Sequence, residues 1–250
     1  SPQLRETLAR RAMSCLKDPA LIAQFIPDAN LERDQARDVL RIAMTHAEAS
    51  GQRQVIYDLT CIALDLEVFD VAEQVRLGLR VAQHNLTKAA ALYARIEADL
   101  LEIECLDDVY GWANVLAQLG RLSDALKLLQ ALPVGEHDQS RWLEESVMVH
   151  ATALDFVGAV GLWDAHDFQA CERSQVLLGV AQSLMQVGRL PEVRTVLERA
   201  LNAAQDESVL ADVLMGKGRF LSFVCPANLS DETYVQAYTI YERLENAQGM

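Results

Sequence analysis

Aromatic residues make up only 6% of this sequence, and no apolar run approaches the ~18 residues that a membrane-crossing helix requires. The five cysteines (Cys15, Cys61, Cys105, Cys171 and Cys225) are odd in number, far apart and without a CxxC pair. That spacing excludes a disulfide framework and points to reduced thiols in a cytoplasm, each packed as a small core residue. A basic patch is also lacking. The densest cationic stretch, "RVAQHNLTK" from Arg80 to Lys88, is dilute, and the net charge is −14. Such a field repels nucleic acids and anionic membranes, so neither is expected as a partner. The first residues, "SPQLRETLARRAMSCLKD", interleave charge with every apolar pair and do not form a secretory signal. GxSxG, HExxH, a Cys-His signature and a dinucleotide-binding fingerprint are all missing. No catalytic residue, metal ligand or cofactor is therefore expected, and the chain reads as non-enzymatic.

What is present is apolar spacing of helical period from end to end, with no convincing strand pattern. Hydrophobic residues form 51% of the 250-residue chain, with Ala and Leu abundant, which suits closely packed helices. Leu4, Leu8, Ala12 and Cys15 make a first stripe, interrupted by Asp18-Pro19. Asn30 is expected to cap a helix carrying Leu31, Leu40, Ala43 and Ala47 that ends near Gly51. Further stripes run through Leu59, Ala63 and Leu66, and through Val71, Val75 and Leu79 after Asp70. Another follows Thr87 (Leu92, Ile96, Leu100, Ile103), and a last one follows Ser230 (Tyr234, Ala237, Tyr241, Leu244). Short turns between these stripes predict antiparallel neighbours.

Two stretches share a Gly-Arg-Leu break: "WANVLAQLGRLSDALKLLQAL" (Trp112–Leu132) and "GVAQSLMQVGRLPEVRTVLERAL" (Gly179–Leu201). Gly120 and Gly188 lie 68 residues apart, twice 34. Shifting by 34 aligns Leu122, Phe156 and Leu190; Ala125, Ala159 and Val193; and Leu129, Trp163 and Leu197. Ala113, Val147 and Ala181 form a further column in the preceding helix. Small and large residues thus recur in the same packing roles. The middle copy has Leu154 where the others have glycine, and residues 50–100 are similar in style but out of phase.

These columns resemble the tetratricopeptide repeat, a 34-residue helix-turn-helix unit, with the best match over residues 102–203. The resemblance implies an all-α fold: a right-handed α-solenoid of antiparallel helix pairs, about 12–14 helices, forming one domain over 1–250. It also implies a concave groove lined by the first helix of each unit. Mapped position by position, that groove presents Tyr110, Asn114 and Gln118, then Arg141, Glu144 and Met148, then Gln175, Gln182 and Gln186. Such a polar surface, mostly uncharged and carrying Met and Tyr, suits an extended peptide or a partner helix. Some family members clamp carboxylate-terminated chaperone tails with Lys, Asn and Arg. Asn114 matches one clamp position, but Tyr110 stands in place of the Lys and Gly179 in place of the Arg, which argues against that ligand.

Other stretches have two readings each. The acidic run Glu97, Asp99, Glu102, Glu104, Asp107, Asp108 is a solvated helix face, or a surface that steers a basic partner. "EHD" (Glu136–Asp138) and "DAHD" (Asp164–Asp167) are helix-capping acids, or metal ligands if the two turns meet. "MGKGRF" (Met215–Phe220) lacks the spacing and the Ser or Thr of a phosphate loop and reads as glycines loosening a helix. His150 is expected in the core, bonded to a backbone carbonyl, with a pH-sensing role as the alternative.

The functional expectation is a non-enzymatic module binding a peptide or helix of a partner protein. The alternative is a ligand- or peptide-sensing regulatory domain of a larger bacterial regulator, for which "VCPANLSDE" (Val224–Glu232) marks a possible pocket against Cys225 and Pro226. Oligomeric state is left open.

Overall fold

Residues with left-handed backbone punctuate the chain. Gly51 (φ 65°), Gly120 (φ 73°), Leu154 (φ 62°) and Gly188 (φ 84°) each lie just beyond a helix end. At the last three, the geometry repeats every 34 residues. The preceding helices end at Gln118, Thr152 and Gln186, and the following helices begin at Leu122, Phe156 and Leu190. In each turn the residue after the left-handed one donates its N–H back to a carbonyl five residues earlier. These bonds are Arg121 to Leu116 (2.8 Å), Asp155 to His150 (2.9 Å) and Arg189 to Leu184 (2.9 Å). This Schellman closure satisfies the orphan carbonyls of a helix end and demands positive φ at the residue before the donor.

Leu154 therefore adopts glycine's conformation without being glycine, and its side chain is 72% exposed. Replacing it with glycine relieves left-handed strain and sacrifices little packing, although glycine adds entropy to the unfolded chain. Leu154→Gly is expected to raise stability by about 1 kcal/mol in urea titration, and Gly120→Ala or Gly188→Ala to lower it by about as much.

The computed structural model describes residues 2–98, 100, 105–132, 139–166, 168–225 and 227–248. Among them the chain is all-helical, with fifteen helices and no strand. In order these are α1 (Pro2–Cys15), α2 (Pro19–Ala23), α3 (Ile26–Ala29), α4 (Arg33–Ala49) and α5 (Arg53–Leu66). There follow α6 (Val71–Ala82), α7 (Leu86–Ile96), α8 (Leu106–Gln118), α9 (Leu122–Gln130) and α10 (Gln139–Thr152). The last are α11 (Phe156–Ala165), α12 (Ser174–Gln186), α13 (Leu190–Ala203), α14 (Glu207–Val224) and α15 (Ala227–Gln248). Many of them pack as adjacent pairs. The chain divides into two compact units, Ser1–Val115 and Leu116–Met250.

In the first unit the Asp70 carboxylate accepts from the Glu73 N–H and caps α6, as its sequence position predicts. Two other caps differ from expectation. Asn30 is not an N-cap but closes α3 in the left-handed region (φ 47°), a conformation Asn tolerates well. The cap of α7 is Asn85, whose side chain accepts from Lys88 N–H, while Thr87 lies inside the helix. Leu40, Ala43 and Ala47 of α4 and Leu59 and Ala63 of α5 are buried, as are Val75 and Val81 of α6. Between α4 and α6 run two ion pairs, Arg41 with Glu73 and Arg80 with Glu48 (2.5 Å). Arg76 continues this pattern to Asp108 of α8 at 3.0 Å.

In the second unit Val147, Val160, Leu177, Val180, Leu184, Val193 and Leu197 form one core between α10, α11, α12 and α13. Asp155 caps α11 through the Gly158 N–H. Gly216 and Gly218 lie within α14, neither loosening it nor ending it. A Cβ on Gly216 would sit 2.5 Å from Leu178 Cδ1, and one on Gly218 2.6 Å from Tyr234 Cε1. Their role is close helix packing. The stretch Val224–Glu232 is almost all helix: α14 ends at Val224 and α15 starts at Ala227, placing Ser230 inside α15. Pro226 lies outside the described residues.

Candidate partner-binding surface

On α12, Gln175, Gly179, Gln182 and Gln186 fall at i, i+4, i+7 and i+11, which puts them on one helix face. On α10, Arg141, Glu144 and Met148 form the corresponding stripe. The two helices pack side by side. A Cβ on Gly179 would stand 3.4 Å from both Met148 Sδ and the Ala151 Cβ, so glycine here lets the thioether lie close to the α12 backbone. Met148 and Gln182 are half-buried, while Gln175, Gln186 and Arg141 are exposed. Gln118, at the end of α8, is exposed as well.

Two of the nine mapped residues are not presented to solvent. Tyr110 is 2% exposed, and Glu144 is 8% exposed. Asn114, in the same helix as Tyr110, is half-buried and donates through its side-chain amide to the Tyr110 carbonyl at 3.2 Å. The available face in the second unit is thus a stripe of amides on α12 with Met148 and Arg141 beside it.

Beneath that face lies an ionic cluster that the sequence pattern did not reveal. Arg173, at the N-cap of α12, reaches Glu145 Oε1 at 2.8 Å and Glu144 Oε2 at 3.3 Å. The carboxylate side chains are only 5% and 10% exposed, so their desolvation is offset by the guanidinium they share. Glu144–Glu145 in a helix reads as a solvated acidic pair, and only the fold brings Arg173 over it.

Cys171 is buried next to this cluster, and burial pushes its thiol up to about 11, away from reactivity at neutral pH. Arg199 of α13 holds the chain leading into α12. Its guanidinium donates to the carbonyls of Phe168 (2.6 Å), Gln169 (3.1 Å) and Cys171 (3.2 Å) and lies over the Trp163 ring, which stacks on Phe168.

The remaining motifs resolve into structural roles where they are described. His150 Nδ1 meets a carboxylate, Asp155 Oδ2 at 2.8 Å, in place of the expected backbone carbonyl. Burial would raise the Asp155 carboxyl, but the Gly158 N–H and His150 outweigh it, and the group titrates below its ordinary value. Asp164 is ion-paired with Arg189 at 2.6 Å. Glu136, His137, Asp138 and Asp167 lie outside the described residues, among which no three His, Cys, Asp or Glu side chains converge as a metal site would require.

The acidic run is not one helical face. Glu97 follows the end of α7 and accepts from the Tyr93 hydroxyl, while Asp108 is buried and paired with Arg76. Asp99, Glu102 and Glu104 are outside the described residues. No helix among the described residues is long and apolar enough to cross a membrane. Comparison of the chain with protein-family models and with curated proteins gives no match.

Proposed function

We propose that helices α8 to α13 are tetratricopeptide-like units, stacked as in an α-solenoid, and that the α10–α12 face binds an extended peptide or a helix of a partner protein without catalysing a reaction. The observation that carries this reading is the uncharged stripe Gln175, Gln182, Gln186 running beside Met148. Amides satisfy the donors and acceptors of an extended backbone, and a thioether adapts to apolar side chains. The 34-residue recurrence of the turns supports the family resemblance independently. Five free cysteines and a net charge of −14 suit a reducing cytoplasm and a partner other than nucleic acid or membrane.

Affinity capture from native lysate tests the reading. It compares the wild-type chain with a Gln175→Ala, Gln182→Ala, Gln186→Ala variant whose helicity and melting are first shown to be unchanged. A protein retained by the wild type and reduced about tenfold or more with the variant is the expected result. Equal retention by both chains removes the α12 stripe from the account.

A second reading, a ligand-sensing regulatory domain of a larger bacterial regulator, draws support from a different feature, a cleft of about 580 Å³ within the first unit. Co-purification of a small molecule, with no protein dependent on the α12 stripe, favours that reading.

A further inference from the structure

Three places in the molecule hold groups whose chemistry the α10–α12 reading does not use. The exposed apolar residues of α15, Val235 and Tyr238, offer a surface with nothing to indicate what covers it. In the Arg173–Glu144–Glu145 cluster the one cation is already shared by two carboxylates, so it offers no free charge to a ligand. The cleft between the end of α4, the start of α5 and the end of α6 differs from both. It is a cavity of ligand size, with cationic groups at its walls in a chain that is otherwise strongly acidic.

Ile56, Val81 and the Tyr57 ring supply apolar walls, while Arg53, Arg80, His84, Thr60 and Gln83 supply polar ones together with one carboxylate, Glu48. The Tyr57 and His84 rings meet edge to face, with centroids 5.6 Å apart and planes at 79°. Asn85 donates to the Tyr57 hydroxyl at 3.4 Å. The aromatic wall is therefore held in place before any ligand arrives. Arg80 is committed in part to Glu48 at 2.5 Å. The Arg53 side chain makes no hydrogen bond or ion pair among the described residues, so its guanidinium, exposed at the edge of the cleft it lines, has no competing partner.

We infer that this cleft binds a small amphipathic organic monoanion, a carboxylate carried on an aromatic body. The carboxylate pairs with the Arg53 guanidinium, while Arg80 holds the Glu48 carboxylate of the same cleft in an ion pair, and the ring packs between Tyr57, Ile56 and Val81. Three considerations select this class. A volume of 580 Å³ falls within the range of small-molecule sites. A guanidinium without a partner matches a carboxylate's two oxygens bidentately. The net charge of −14 penalises polyanions such as nucleic acids or nucleoside triphosphates far more than a single charge. This inference stands apart from the α10–α12 surface: either can fail without the other.

The test uses the full chain and a matched pair of probes, 2-naphthoate and its neutral analogue 2-naphthamide, with saturation-transfer NMR and calorimetry. Inorganic phosphate serves as the anion without an apolar body. The expected result is saturable binding of naphthoate below about 1 mM, with naphthamide and phosphate each weaker by about tenfold or more. Arg53→Gln, at an exposed position without a partner, is expected to leave the melting curve unchanged and to weaken naphthoate about tenfold, with Arg53→Lys recovering part of the loss. Failure of naphthoate to saturate, equal binding of acid and amide, or indifference to Arg53→Gln each overturns the inference. Phosphate binding as tightly as naphthoate also overturns it, because the apolar walls would then contribute nothing.

Discussion

Trp112→Ala is expected to cost about 3–5 kcal/mol and to unfold the first unit at a markedly lower urea concentration than the wild type. Trp112 is fully buried, and its indole N–H donates to the Val75 carbonyl of α6 at 3.2 Å. The Tyr93 ring of α7 packs against it with centroids 5.8 Å apart. One side chain thus ties α6, α7 and α8 together, and truncation leaves a cavity and removes the indole hydrogen bond. Gly78 makes this arrangement possible. A Cβ there would come within 2.6 Å of Trp112 Cζ2 and 2.4 Å of Leu92 Cδ2, so Gly78→Ala is expected to destabilise in the same direction by overpacking. A loss under about 1 kcal/mol for Trp112→Ala would mean that these helices do not share a core.

The second large effect is expected at Arg173. Arg173→Leu leaves two buried carboxylates without their shared cation. Breaking a buried pair from one side costs about 3–5 kcal/mol, and the 40% exposure of the Arg173 side chain reduces this to about 2–3 kcal/mol. The informative comparison is Arg173→Leu combined with Glu144→Gln and Glu145→Gln. If the loss comes from unpaired charge, the triple variant recovers most of it in urea titration. If the triple variant is no better than Arg173→Leu alone, the loss comes from packing of the arginine stem, and the ionic account of this cluster is wrong.

The sequence announces the turns of residues 106–203 because left-handed backbone has a chemical signature. Gly120 and Gly188 lie where a Schellman closure needs positive φ. Leu154 adopts the same conformation without the signature, which is why the middle copy reads as degenerate while its turn, between Thr152 and Phe156, keeps the same 34-residue spacing.

The helix starts of the first unit are less evenly spaced. The helices after its turns start at Pro19, Arg53 and Leu86, and the next begins at Leu122, at intervals of 34, 33 and 36 residues. A fixed shift of 34 residues therefore falls out of step with these helix starts.

Side-chain environment was the least legible level. Asn30 serves as readily for a left-handed C-cap as for an N-cap, so only the backbone distinguishes them. The repeat resemblance puts Tyr110 and Glu144 on a binding face, yet position in a repeat says nothing of how deeply neighbours cover a side chain. The neighbours that decide are distant in sequence: Arg173 lies 29 residues from Glu144. Likewise the cleft combines Arg53 with Arg80 and His84, which no local motif links.

The central claim, that the α10–α12 face receives a partner, is tested most directly by hydrogen–deuterium exchange of the captured complex against the free chain. The account predicts added protection in Gln139–Thr152 and Ser174–Gln186, the spans of α10 and α12, with Phe156–Ala165 and Leu190–Ala203 unchanged. Protection confined to α11 and α13, or to the first unit, would contradict it and move the binding surface elsewhere.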